Sequence, residues 1–220
     1  MEIIQPGYTA PVEEGSEFNT YDTISAAVEE HNQDAAPGET YWGIRIENST
    51  YTVYEYGEVP TPPSEDEQME TLRSEKLKEA SDSCEAAITS GIDVLFGDGT
   101  QEHFSLEVHD QSAIDGMFNA VTLGAIAYPY HADGKQCRLY FAADIVTLYT
   151  AKQSAITQQT TYNNALRQWI RRENSLEVLK GISYGVELPD DLKAEVADIL
   201  QKAQEQVEAI VKKLTTVEAS

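Results

Sequence analysis

The chain has 220 residues, 41% of them hydrophobic and 24% charged, which is enough to bury one or two cores and too apolar for wholesale disorder. Its 38 acidic residues against 15 Lys and Arg give a net charge of −23. That balance opposes nucleic-acid binding, which gains its affinity by neutralising phosphates with Lys and Arg.

No apolar run approaches the roughly 20 residues that span a bilayer. The start MEIIQPGYTAPVEEG has neither the basic nor the apolar segment of a Sec signal. The expectation is cytoplasmic synthesis without membrane insertion.

Thr20 or Asp22 caps a short helix that sets Ile24 and Val28 one turn apart and ends at His31. Beyond the turn-rich stretch 32–40, Trp42, Ile44 and Ile46 alternate before Asn48–Ser49, and Thr52, Tyr54 and Tyr56 alternate after it. That pattern predicts a β-hairpin with aromatic faces. Residues 1–58 therefore read as a small helix-plus-hairpin module. Pro60, Pro62 and Pro63 stiffen the chain and Glu65, Asp66 and Glu67 solvate it, so 59–66 reads as a linker.

In 67–220, Met69, Leu72, Leu77, Ala80, Cys84, Ala87 and Ile88 follow a helical period up to a stop at Gly91. Ile92, Val94 and Phe96 alternate before Gly97–Asp98–Gly99, and Phe104, Leu106 and Val108 alternate after it, predicting a hairpin. Asp110 caps a helix with Ile114, Met117, Phe118 and Val121 on one face, closed by Gly124. A second hairpin turns at Asp133–Gly134 and groups Cys137, Leu139 and Phe141 on one face. A long amphipathic helix runs from Ile145 to near Arg172, and Asn174 with Glu177 resembles a capping box for a short helix ending at Gly181. The last helix begins at Pro189–Asp190. The predicted class is α+β: a small N-terminal helix-plus-hairpin module, then a mainly helical domain containing two hairpins and a long C-terminal helix.

Two sets of residues are candidates for binding. Tyr41, Trp42, Tyr51, Tyr54 and Tyr56 lie on both faces of the first hairpin, and one small helix covers only one face. They read either as core and cross-strand pairs or as a protein-docking surface. On the last helix, Leu192, Val196, Ile199, Ala203, Val207, Ile210 and Leu214 recur about every 3.67 residues, the period of a nearly straight seam. That stripe, about 36 Å long at 1.5 Å per residue, packs on its own domain or on a sister copy. Its reach through the end of the chain favours self-association, with a homotrimer expected.

Reactive chemistry is thin. No dinucleotide, P-loop, HExxH or GxSxG motif occurs. His131, Asp133 and Cys137 flank one turn as a nucleophile-and-base candidate, but no orienting group or oxyanion donor accompanies them. The alternative is that His131 and Asp133 shape the turn while Cys137 packs beneath it. His103, His109 and His131 with Asp110 and Asp133 offer metal ligands without the tight spacing of a zinc site. Cys84 and Cys137 form no CxxC pair and are both expected to be small buried hydrophobes. No enzymatic activity, metal or cofactor is expected.

From about Cys84 to Leu200 the sequence resembles a domain of unknown function encoded in tail modules of phages and prophages of Gram-positive bacteria. The residues that carry the likeness are HFSL at 103–106, Asp110–Gln111, YHADG at 130–134 with Cys137, TTY at 160–162 with Asn164, and Tyr184–Gly185 ahead of LPDD. The resemblance implies a structural tail-fibre or baseplate component located in the virion, with other tail or fibre proteins as partners and no catalytic residues. Two alternatives stand beside it: a tail-fibre assembly chaperone not retained in the particle, and an acidic intracellular inhibitor that mimics nucleic acid.

Overall fold

In the computed structural model, which describes residues 3–12 and 20–217, Asn48 and Ser49 turn the chain with φ of 48° and 55°. Two consecutive left-handed residues make a two-residue turn whose twist matches that of paired strands. β2 (Thr40–Glu47) and β3 (Thr50–Glu58) follow from it as an antiparallel pair. A third strand, β1 (Thr9–Pro11), adds to the far side of β3. It is too short to show alternation, and the proline at its end belongs at an edge, so the sequence pattern does not reveal it.

Across one face of this sheet lies α1 (Thr20–Asp34). Its Ile24 and Val28 form a core with Ala10, Tyr51 and Val53, against which Trp42 and Ile44 pack. The side chain of Thr20, one predicted cap, lies outside the described residues. Near the other end of α1, the Asn32 amide accepts from Trp42 N at 2.7 Å and donates to Trp42 O at 2.9 Å. It thereby satisfies edge-strand backbone that would otherwise be open to pairing.

These elements form one compact unit, Met1–Asp66, and the rest of the chain forms a second, Glu67–Ser220. α2 (Glu65–Thr89) begins inside the predicted linker, with Glu65 and Asp66 at a helix N-terminus that favours negative charge. Gly91 follows it at φ 90°, pressed so closely on Phe104 and His103 that a side chain has no room. β4 (Ile92–Leu95) then pairs with β5 (Gln101–Phe104).

The strand stops earlier than its alternation suggests. Leu106 turns into the core, and Val108 is the exposed first residue of α3 (Val108–Thr122). The cap position of α3 is Glu107, not Asp110, and it makes no side-chain cap bond.

The second hairpin pairs β6 (Ala127–Tyr130) with β7 (Arg138–Phe141) and leads into α4 (Ala142–Arg172). α5 (Leu176–Gly181) is capped by Ser175, whose hydroxyl accepts from Val178 N; the cap is thus one residue beyond the predicted Asn174, and with valine at the third helical position it forms no capping box. α6 (Asp190–Val217) runs back antiparallel to α4. Asp191 bonds Arg172 at one end, and Ala203 and Val207 lie beside Gln153 and Thr157 further along.

α4 serves two cores. Its Ile145 and Leu148 join Phe96, Phe104, Leu106, Ile114 and Tyr140, while its Leu166 and Ile170 join Ala80, Leu179, Leu188 and Leu192.

Ser49 pays the steric cost that a β-carbon meets in the left-handed region. Ser49→Gly should raise the stability of the first unit by about 0.5–1 kcal/mol, read from Trp42 fluorescence during urea unfolding in a Trp169→Phe background. A lowered midpoint would contradict the turn assigned here.

Candidate functional site

The hairpin register separates the five aromatic candidates. Tyr51 faces α1 in the core, and Trp42 lies on that face opposite Glu55. Trp42 also stacks on His31 at 3.7 Å between ring centroids. Tyr41 lies opposite Tyr56, and Gly43 opposite Tyr54, on the face turned away from α1.

There the Tyr41–Tyr56 and Tyr54–Tyr56 centroids are 6.0 and 6.1 Å apart, within the range of favourable tilted ring pairs. Tyr54 is 39% exposed and Tyr56 50%. Two residues that the sequence reading passed over complete the face. Gly43 leaves space for the Tyr54 ring, whose atoms would come within 2.8–3.0 Å of a β-carbon at 43. The Arg45 guanidinium lies 5.8 Å from the Tyr54 centroid. The signal for both was present in the alternation, since 41, 43, 45, 54 and 56 share one face of the hairpin.

The α6 stripe is partly used by its own chain. Leu192 is buried and Val196 packs against the same core. Ala203 and Val207 are half-buried along α4, whereas Ile199 and Ile210 are exposed. The side chain of Leu214 lies outside the described residues. Leu200 lines the gap toward α4 beside Ala203 and Val207, and Val211 is half-buried where Ile210 is exposed. Its middle section meets Gln153, Ser154, Thr157 and Gln158 across a gap of about 150 Å³.

At the second hairpin the predicted apolar face points outward. Cys137 is exposed, which corrects the expectation that it is buried, while Cys84 is buried. Phe141 is 62% exposed and Leu139 is also open. The opposite face carries the buried Tyr140. Its hydroxyl donates to Glu102 at 2.7 Å, and Arg138 lies 3.8 Å over its ring while also donating to Glu102 at 2.7 Å. A buried tyrosine needs a partner for its hydroxyl, and Glu102 supplies one only if this face turns in. Arg138, helped by Tyr140, holds the Glu102 carboxyl below its usual range, against the opposing effect of burial. Burial, reinforced by Glu102, pushes the Tyr140 hydroxyl up to about 12.

The reactive candidates have structural partners. His131 stacks on Tyr130 at 5.3 Å and meets the adjacent Ala132 carbonyl at 3.3 Å. Asp133 accepts from Ser105 N at 3.1 Å and donates its own N–H to His103 O at 2.9 Å. Asp110 accepts from the Tyr130 hydroxyl at 3.1 Å, and His109 is exposed beside it. His103 sets one ring nitrogen 2.9 Å from Asp93 and the other 3.0 Å from Ser90 O. Two acceptors favour the doubly protonated ring, and the Asp93 hydrogen bond leads in raising its pKa. Among the described residues, no group of three or more His, Cys, Asp or Glu could hold a metal ion, and no helix is long and apolar enough to cross a membrane.

Comparison with protein-family models, curated proteins and solved structures gave no match to this chain.

Two measurements check the electrostatics. His103 binds its proton more tightly when folded, so its contribution is full below the ordinary value of 6.5 and fades as pH rises through the elevated one. The stability difference between wild type and His103→Gln should therefore shrink as pH rises above the ordinary histidine value of 6.5. Glu102→Gln should cost the second unit about 1.5–3 kcal/mol near neutral pH. That loss should fade as pH falls through the lowered Glu102 value, because the carboxylate's contribution exists only while it is ionised.

Proposed function

We propose that the chain is a non-catalytic component of a phage tail or tail-like particle, which docks to neighbouring tail or fibre proteins through the Tyr41–Tyr54–Tyr56 face. The observation that carries the docking half is that face itself. It holds three neighbouring rings with an arginine beside them, and α1 lies on the other side of the sheet. Tyrosine and arginine on an open surface are the residue types that anchor interfaces.

The tail setting rests on the resemblance of residues 84–200, and the residues that carry it have structural roles that suit a scaffold. Tyr130 bonds Asp110, Gln111 donates to Leu106 O, Asp133 accepts from Ser105 N, and Tyr162 donates to Val186 O. The net charge of −23 keeps free copies apart and in solution until a partner is met. A homotrimer is the proposed assembly, with Ile199 and Ile210 as the apolar positions of α6 that remain exposed.

Quantitative mass spectrometry on density-purified particles should find the protein at the copy number that a three-fold mount requires. A variant combining Tyr41→Ser, Tyr54→Ser and Tyr56→Ser should fold and yet be depleted from the particle by about tenfold or more. Wild-type protein abundant in producing cells but missing from the particle would overturn the virion reading in favour of a fibre-assembly chaperone.

A further inference from the structure

Two exposed features of the first unit complement each other. One is the outer face of the first hairpin, read along its strands. Tyr41 and Tyr56 form one cross-strand pair, Gly43 and Tyr54 the next, and Arg45 and Thr52 the one after. The Arg45 side chain is 55% exposed, lies beside the Tyr54 ring, and has Glu47 as its own partner at 3.3 Å.

The other feature is the chain at 59–64, which belongs to neither strand nor helix and leads into the first turn of α2. Pro60, Thr61, Pro62 and Pro63 are exposed, and so are Glu65 and Asp66 after them. Proline at that density favours the extended polyproline II conformation, with three residues per turn and about 3.1 Å per residue. Aromatic surfaces take such segments well, because proline rings stack on aromatic faces and a chain already extended loses little entropy on docking.

Spacing and charge agree. Arg45 stands four residues along β2 from Tyr41, about 13 Å at 3.4 Å per residue. From Pro60 to Ser64 is about 12 Å of polyproline II. A segment that lays Pro60 on the Tyr41–Tyr56 pair and Pro62 and Pro63 toward Tyr54 therefore brings two carboxylates up to the guanidinium. A chain does not deliver its own segment there. Val59 N donates to Glu39 O at 2.8 Å, and Val59 O accepts from Gly38 N at 3.0 Å. Those bonds carry Pro60 past the end of the sheet, away from Arg45.

We propose that the tyrosine face of one copy binds the Pro60–Pro63 segment of a second copy, running parallel to β2, with that copy's Glu65 and Asp66 paired to Arg45. The inference rests on the reading of this face as a docking surface and makes the docked neighbour a sister copy. A head-to-tail contact of this kind can close into a ring, as the proposed trimer requires. Contacts this few give a Kd on the order of 1 mM, so the face is open in a dilute subunit and fills where copies are crowded.

The probe is a synthetic peptide of residues 58–67, titrated into the full chain carrying 13C-labelled tyrosine rings and followed by NMR. The Tyr41, Tyr54 and Tyr56 resonances should shift and saturate, while those of the buried Tyr51 and Tyr140 stay in place. A peptide with Pro60→Ala, Pro62→Ala and Pro63→Ala should bind at least about tenfold more weakly. Arg45→Glu, a change at an exposed position, should weaken the native peptide about threefold or more, and should bind a Glu65→Lys, Asp66→Lys peptide more tightly than the native one.

Rings that do not move, shifts that the alanine peptide reproduces, or a charge reversal at Arg45 without effect would overturn the proposal. Any of these, with the triple tyrosine-to-serine variant still depleted from the particle, would leave the docking reading standing with another occupant. Retention of that variant in the particle would remove both.

Discussion

Among the described residues every sheet is two or three strands wide, and a sheet that narrow has two faces but only enough neighbouring structure to bury one. The choice of buried face settles most of what the surface offers. In the first unit α1 covers Tyr51 and Val53, so the ring ladder of Tyr41, Tyr54 and Tyr56 is left outside. In the second hairpin of the second unit Tyr140 takes the inside position, and Leu139 and Phe141 are left out. Burying a large ring gains more than burying a leucine only when the polar end is satisfied. Glu102, held by both Arg138 and Tyr140, meets that condition.

Within the second unit, α4 joins the hairpins to the helices. It carries the second hairpin at its start, contributes Ile145 and Leu148 to the aromatic core, and ends in the core built with α2, α5 and α6. Between the two cores sits Lys152, the buried charged side chain among the described residues, paired with the half-exposed Asp115 and close to Gln111 O. A buried ammonium is tolerated where its partner reaches the rim and the aliphatic stem packs. α6 is fastened well at its beginning, by Leu192 and by Arg172 with Asp191, and more loosely where α4 presents glutamine, serine and threonine. Local opening is therefore expected to concentrate in the later turns of α6.

Long apolar periods were legible in the sequence, and the facing of short strands was not. The repeats of α2 up to Gly91 and of α4 up to Arg172 specify their helices because many positions agree. Asn48–Ser49 likewise specifies the first hairpin through its flanking alternation. Alternation also groups Cys137, Leu139 and Phe141 correctly, yet period two cannot say which face is inside. That is decided by Glu102, far away in the chain. Asp110 has the residue type of a cap but instead accepts from Tyr130. On α6, Ile199 and Leu200 are adjacent and both apolar, so a small drift in helical phase exchanges them as core positions. Of the aromatic candidates, the sequence showed that two faces existed; only the packing of α1 reveals that Tyr51 belongs to the core and Tyr54 and Tyr56 to the surface.

On the proposed reading, the open face of Tyr54 and Tyr56 is the surface that a partner covers. Hydroxyl-radical footprinting of the free chain and of the chain in its assembled complex compares these faces directly. The account predicts that Tyr54 and Tyr56 are oxidised in the free protein and protected in the complex, while Tyr51 and Tyr140 are protected in both. Equal oxidation of Tyr54 and Tyr56 in the two states would contradict it.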